Sequence, residues 1–184
     1  MNIFLTADLH TGHTNLIKRG VRSQFKDCEE HDNTIINNWN SIVGKDDLIY
    51  IVGDVVWNGD FSLLNKLKGQ KIVIKGNHDK KEHLCRAKSS NYICNWHYMK
   101  GFMYNNNYIF MCHYPMISWD RSFHGSYLAF GHCHGSLRFS QGRSMDVGVD
   151  CHNFTPIHID DFINKLKHRE NKYIYNRLGE IVDL

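Results

Sequence analysis

Short apolar runs alternate with longer periodic ones through the first half of the chain. Asn2–Ala7 is a compact apolar stretch running into Asp8-Leu9-His10. It predicts a strand, and Gly12 with the polar residues behind it predicts a loop. From Glu29 onward Ile35, Ile36, Trp39, Ile42 and Val43 recur at helical spacing, and Gly44 stands where a C-cap glycine would. Leu48–Val52 is continuously apolar, as in a strand buried on both faces, and ends in Gly53-Asp54. Phe61–Leu67 suits a short helix with Asp60 as N-cap and Gly69 past its end. Lys71–Lys75 is a third strand, ending in Gly76-Asn77-His78-Asp79. Three strands separated by helices, each closing on Gly or polar residues, predict βαβ units and a parallel sheet. Ligands of such sheets bind beyond the carboxyl ends of the strands.

The second half changes character. Tyr108–Cys112 predicts a strand, preceded by a hairpin turn at Asn105-Asn106-Asn107 and followed by His113-Tyr114-Pro115. Tyr127–Phe130 runs into Gly131-His132-Cys133-His134. Met145–Val149 reads as a further strand, Asp160–Lys167 as a helix, and Lys172–Val182 as a hairpin around Arg177-Leu178-Gly179. This half is expected to be mostly antiparallel. No repeat, low-complexity tract or linker interrupts the pattern, so residues 1–184 are expected to form a single domain.

Charge narrows the function classes. Against 22 Lys and Arg stand 19 Asp and Glu, a net charge of +3. That is too mild for an electrostatic nucleic-acid binder, and it is compatible with an anionic small substrate. No apolar run approaches the ~20 residues of a membrane span. Met1–His10 lacks a basic start and carries Asp8, unlike a secretory signal. The expectation is a cytoplasmic protein without a membrane partner. Six cysteines without a Cys-x-x-Cys pair argue for reduced thiols. Cys112, Cys133 and Cys151, each followed by a His, are expected to be small buried hydrophobes. The unusual count is thirteen histidines, since His ligates metals and moves protons near neutral pH.

Five polar clusters stand beside predicted strands: Asp8-x-His10, Gly53-Asp54, Gly76-Asn77-His78-Asp79, His113 and Gly131-His132-x-His134. In an extended strand, residues two apart face one side, so Asp8 can join His10, and His132 can join His134, at one metal or at two adjacent ones. Carboxylates, an amide oxygen and imidazoles without thiolates suit divalent Mn, Fe or Zn. Seven such ligands exceed the four of a structural zinc site. Two metals about 3.5–4 Å apart, sharing one bridging carboxylate, fit them better.

The ordered set of clusters over residues 8–134 resembles the calcineurin-like metallophosphoesterase superfamily. Asp8-Leu9-His10-Thr11-Gly12-His13 and Val147-Gly148-Val149-Asp150 through Pro156 resemble a small single-domain branch found in bacteria and phages. The resemblance implies an α/β fold, a four-layer α/β/β/α sandwich of two mixed β-sheets packed face to face and flanked by helices. It implies two divalent metal ions, Mn first, with Fe, Zn or Ni as alternatives. Asp8, His10 and His134 would hold one ion, Asn77, His113 and His132 the other, and Asp54 would bridge them. The implied activity is a phosphoesterase, a phosphodiesterase before a monoesterase. It would act on a small phosphorylated or nucleotide substrate by in-line attack of a metal-bridging hydroxide.

His78, next to Asn77, is then expected at the rim of the site. There it would hydrogen-bond phosphoryl oxygens or protonate the leaving alkoxide, with Asp79 orienting its ring. His13 is a candidate substrate contact or a solvent-facing residue. Arg22 is a phosphate clamp or a solvated surface charge. Trp119, Arg121 and His124 form a specificity rim or an ordinary loop. Trp57 and Trp96 mark an interface or simply pack. Asp150 and His152 are expected to be structural partners near the terminal segment. Two other readings stand beside the phosphoesterase: a nuclease of short or single-stranded nucleic acid, and a non-catalytic metal-binding interaction module. The mild charge, and the mere 50 or so residues beyond His134, argue against long nucleic acid as a partner.

Overall fold

A computed structural model describes residues 1–137 and 142–171. The first strand, β1 (Ile3–Thr6), precedes a short helix, α1 (Thr14–Lys18), in the segment expected to be a loop. The long helix α2 (Cys28–Ile42) starts where the Asp27 carboxylate accepts the Glu30 N–H at 2.8 Å, and Glu30 in turn accepts the Lys26 N–H. The first bond satisfies a donor that the first helical turn leaves free, and the second ties the preceding residue to that turn. Gly44 is not its C-cap. Val43 leaves the helix in an extended conformation, and the Gly44 N–H is taken by Asp47 Oδ2 at 2.9 Å. Strand β2 (Leu48–Ile51) follows, then a 3-10 helix at Phe61–Lys66 capped by Asp60, whose carboxylate accepts the Ser62 N–H. Strand β3 (Gln70–Ile74) leads to helix α3 (Lys81–Ser89) and the short strand β4 (Asn95–His97). Neither α3 nor β4 is announced by pattern, because α3 buries only Leu84 and Ala87.

Strands β5 (Met99–Tyr104) and β6 (Asn107–Cys112) form the expected hairpin. Asn105 and Asn106 both have positive φ, as a two-residue hairpin turn of this hand requires. Then come β7 (Tyr127–Phe130), β8 (Ser144–Asp146), β9 (Ile157–His158) and α4 (Ile159–Leu166). The strand expected at Met145–Val149 stops at Asp146, and Val149 opens a 3-10 turn. The hairpin expected at 172–182 lies outside the described residues.

One sheet has the order β4-β3-β2-β1-β9, parallel from β4 to β1, with β9 antiparallel at the edge. The other has the order β5-β6-β7-β8. Only its β5–β6 pair is antiparallel; β6–β7 and β7–β8 are parallel. The expectation of a mostly antiparallel second half is therefore corrected. Segments 113–126 and 131–143 are long enough to return the chain in the same direction, but their described residues carry no α-helix that would mark a crossover.

Both faces of the first sheet are buried. Ile49, Ile51 and Val73 pack under α2 and α3 with Ile35, Trp39 and Leu84. Their alternates Leu5, Tyr50, Val52 and Ile74 meet Ile109, Met111, Tyr127 and Ala129 of the second sheet, joined by Phe162 and Leu166 of α4. The architecture is an α/β sandwich of two mixed sheets with helices. Trp119 packs with Leu128 and Phe130, and Arg121 lies over the Tyr108 ring at 4.4 Å. Trp119 is thus a buried packing residue. Trp96 is half-buried against the α2–α3 core. Of the three cysteines expected inside, only Cys112 is buried; Cys133 is half-buried and Cys151 exposed. Among the described residues no helix is long and apolar enough to cross a membrane.

Trp39 is fully buried at the centre of the α2 core, with its indole N–H on the Lys68 carbonyl. Trp39→Ala should lower unfolding free energy by about 3–5 kcal/mol, read as a fall in the urea midpoint.

Candidate metal centre

Three parallel neighbours, β1, β2 and β3, end at one edge, and β6 and β7 of the second sheet end beside them. Beyond the strands the chain keeps its register. The Asp8 N–H donates to Gly53 O and the His10 N–H to Asp54 O, both at 3.0 Å, and the Gly131 N–H to His113 O. Spacing alone suggested an extended backbone carrying Asp8 with His10 and His132 with His134. The structure brings these side chains together by a different torsion. Asp8, His10, Asp54, His132 and His134 all have left-handed φ, between 47° and 73°. Such conformations are uncommon for residues with a Cβ and persist only where surrounding contacts enforce them. Close approach also needs glycine. A Cβ on Gly53 would lie 2.2 Å from His113 Nδ1, and one on Gly131 would lie 2.8 Å from Asp8 Oδ2.

The polar atoms converge with too few protons between them. Asp54 Oδ1 accepts the His78 N–H at 2.9 Å. Its Oδ2 faces three imidazole nitrogens: His113 Nε2 at 3.4 Å, His10 Nε2 at 3.6 Å and His78 Nε2 at 3.9 Å. His113 donates from Nδ1 to Val52 O, which turns Nε2 toward Asp54 and toward Asn77 Oδ1 at 2.9 Å. His132 Nδ1 lies 3.0 Å from the same amide oxygen. Asp8, buried, takes the His132 N–H on both carboxylate oxygens. Buried His10 Nε2 has no hydrogen-bond partner. Asp8, His10 and His134 bring ligand atoms within 4.8 Å of one another, and so do Asp8, Asp54 and His113. An orphaned buried nitrogen and a buried carboxylate facing further oxygen and imidazole donors fit divalent cations of the borderline class.

Burial explains the electrostatics. It pushes the Asp8 carboxyl up to about 7 and His10 down to about 3. At Asp54 burial acts upward, but the His113 hydrogen bond and charge, with the His78 N–H, hold it at about 2. His113 goes the other way: burial lowers it, and the hydrogen bond and charge of Asp54 carry it above its ordinary value.

Several expected roles change. His78 is at the rim, its side chain 42 % exposed and its ring 5.5 Å from that of His10. Asp79 does not orient it. Its buried carboxylate accepts the N–H groups of Asp54, Val55 and Gly76 at 2.8–3.0 Å, tying the turn after β2 to the turn after β3. Arg22 is neither a phosphate clamp nor a surface charge. Its side chain is 0 % exposed, and all five guanidinium donors are engaged. Nε and Nη2 form a fork on Asp150 at 2.9 and 2.7 Å. Nη2 also reaches Asp8 O, and Nη1 reaches Leu9 O and His31 Nε2. His31 then donates from Nδ1 to Asp32, which accepts the Gly12 N–H.

Asp150 was read as a structural partner, and it reaches the site directly: His134 Nδ1 donates to its Oδ2 at 2.7 Å. That bond leaves His134 Nε2 as the nitrogen free to ligate and raises the basicity of the ring. His152 bonds Asp146 O, outside the cluster. His13 is half-buried and stacked on Trp57, a residue whose part in the site no motif indicated.

Fold and cluster define an α/β sandwich with a carboxylate–imidazole centre at its strand ends, the class of a metal-dependent phosphoesterase. The chain belongs to the calcineurin-like phosphoesterase family, whose model matches residues 1–180. It is similar to an uncharacterized protein of Methanocaldococcus jannaschii, 29 % identical over 169 residues, covering 86 % of this chain and 87 % of the relative. It is also similar to the Gene 66 protein of Mycobacterium phage L5, 27 % identical over 181 residues, covering 81 % and 86 %. A solved structure of a protein of unknown function from Aquifex aeolicus shares the fold with a TM-score of 0.69. It is 22 % identical, and the match covers 90 % of this chain and 98 % of that one.

Two predictions follow from these contacts. Arg22→Lys keeps the charge but cannot serve a carboxylate and two carbonyls at once, and Asp150→Asn removes the anion behind His134. Each should weaken divalent-metal affinity about 10–100-fold, measured by calorimetry on metal-free protein whose circular dichroism is unchanged. An entering cation must also displace the proton that Asp8 carries below about pH 7. The raised His113 must lose its proton as well. Apparent affinity should therefore fall by about tenfold or more per pH unit as the pH drops below 7. Calorimetry at about pH 6 in buffers of different ionisation enthalpy should count at least one proton released.

Proposed function

We propose that this chain is a dinuclear metal-dependent phosphodiesterase acting on a small phosphorylated or nucleotide substrate. The observation that carries this reading is the position of Asp54. Its Oδ2 lies between His10 of one donor group and His113 of the other, at 3.6 and 3.4 Å. Asp8, His10 and His134 would hold one ion, Asn77, His113 and His132 the second, and Asp54 both. Bound there, such ions acidify water and neutralise phosphoryl oxygens.

The side chains themselves supply the rest. The Val52 carbonyl and the Asp150 carboxylate fix the tautomers of His113 and His134, so both present Nε2. Asp54 Oδ1 anchors the backbone of His78 while leaving its imidazole free at the rim. From there Nε2 donates a hydrogen bond to a phosphoryl oxygen or gives its proton to the leaving alkoxide. Asp79 holds the two turns that carry Asp54 and His78. Preference for diesters over monoesters rests on family analogy.

The test is hydrolysis of a chromogenic phosphodiester and the matching monoester by chelator-stripped protein with Mn²⁺, Ni²⁺, Zn²⁺ or Mg²⁺ restored. Metal-dependent turnover that favours the diester is expected, and Asp54→Asn should abolish it. His78→Ala should lower kcat about 10²–10⁴-fold with metal content unchanged. A protein carrying two metals per chain that hydrolyses neither ester would overturn the reading.

A further inference from the structure

One feature beside the centre takes no part in holding it together. Trp57, on the turn after β2, is 38 % exposed. An indole is a costly group to leave in water without a partner. Its backbone is firmly placed, since the Trp57 N–H donates to Thr11 O at 3.0 Å. The ring lies face to face on the His13 imidazole, with centroids 3.5 Å apart and planes at 17°. His13 is itself held by its N–H on His10 O. The indole centroid is also 5.0 Å from the tilted His78 ring, which stands 5.5 Å from His10. His10 is flanked by His78 and, at 5.8 Å, by His13, and the Trp57 indole lies against both of these rings.

We propose that the Trp57–His13 stack is the platform on which an aromatic base of the substrate lies, so that the preferred ester carries a nucleoside. This rests on the phosphoesterase reading for where the phosphoryl group sits. A phosphoryl group beside His78 places its sugar across the gap of one ring and its base against the indole. Stacking on a rigid aromatic face is tolerant of base identity, so the platform selects nucleosides as a class and not one base. Backing by His13 is what makes Trp57 a rigid face, because the indole cannot turn away without breaking the stack. His13 thus acts as a positioning residue through Trp57.

The experiment has two arms on the full chain. In the first, calorimetry compares adenosine 5′-monophosphate with ribose 5-phosphate on metal-loaded protein. Wild type should bind the nucleotide about 10–100-fold more tightly, Trp57→Ala should erase that difference, and Trp57→Phe should restore much of it. In the second, turnover of the p-nitrophenyl ester of thymidine 5′-phosphate is compared with that of methyl p-nitrophenyl phosphate. Trp57→Ala should raise KM for the nucleoside ester about tenfold or more relative to any change it makes for the methyl ester. Equal binding of the two phosphates by wild type, or a Trp57→Ala protein that discriminates as wild type does, would overturn the platform. If neither ester turns over yet nucleotide preference depends on Trp57, the platform stands and the catalytic reading fails. If both esters turn over with no Trp57 dependence, the reverse holds.

Discussion

Asp8 is a fully buried carboxylate with no Lys or Arg on its oxygens among the described residues, the nearest imidazole nitrogen of His113 standing 4.0 Å off, and much of the structure is arranged around that deficit. Burial drives its pKa to about 7, so the bare pocket favours a proton there, and a divalent ion removes the need for it. The neighbours compound the deficit. Asp54 brings a second buried carboxylate within reach, and His10 brings an imidazole nitrogen with no partner. A pocket of acceptors and lone pairs does not close by itself. It is kept open by forces from outside, chiefly five left-handed residues locked by backbone bonds and the buried guanidinium of Arg22.

Arg22 links three parts of the chain through one side chain. It grips the carbonyls of Asp8 and Leu9, forks onto Asp150, and is backed by His31 of α2. Burying a guanidinium without a full set of acceptors would be prohibitive. Here every donor has a target, so the group stiffens the turn after β1 without an unpaired charge. Asp79 does the matching work from the opposite side, with three backbone N–H groups on one carboxylate. The two residues bracket the centre, one holding Asp8 and His134, the other Asp54 and the His78 turn.

How much of this was legible follows from distance along the chain. The ligand clusters could be read because each is local, a few polar residues at the end of an apolar run. Their meeting could be read because parallel strands end at one edge. The torsions could not: spacing two apart suggested extended backbone, and the same neighbours were reached through left-handed turns whose cause is tertiary. Arg22 and Asp150 are 128 residues apart in sequence, and no local pattern announces a buried ion pair of that range. The parallel β6–β7–β8 pairing is not legible for a related reason, since the described residues of its crossovers hold no α-helix of the kind that signals a βαβ unit. Helix α3 was missed because it buries so little.

The two sides of the centre are unequal, and that inequality bears on how a substrate enters. Around Asp8 and His134 the turn carbonyls and Asp150 are held by Arg22, and the Asp8 carboxylate is buried. Around His78 the backbone is tied down while the imidazole stays in water, with Trp57 half-exposed beyond it. Rigid backbone with a free ring suits a group that must meet a ligand, because little ordering remains when the ligand arrives. A substrate that approaches from the Arg22 side would have to break a saturated network. One that approaches over Trp57 and His78 meets open rings first and the buried carboxylates behind them.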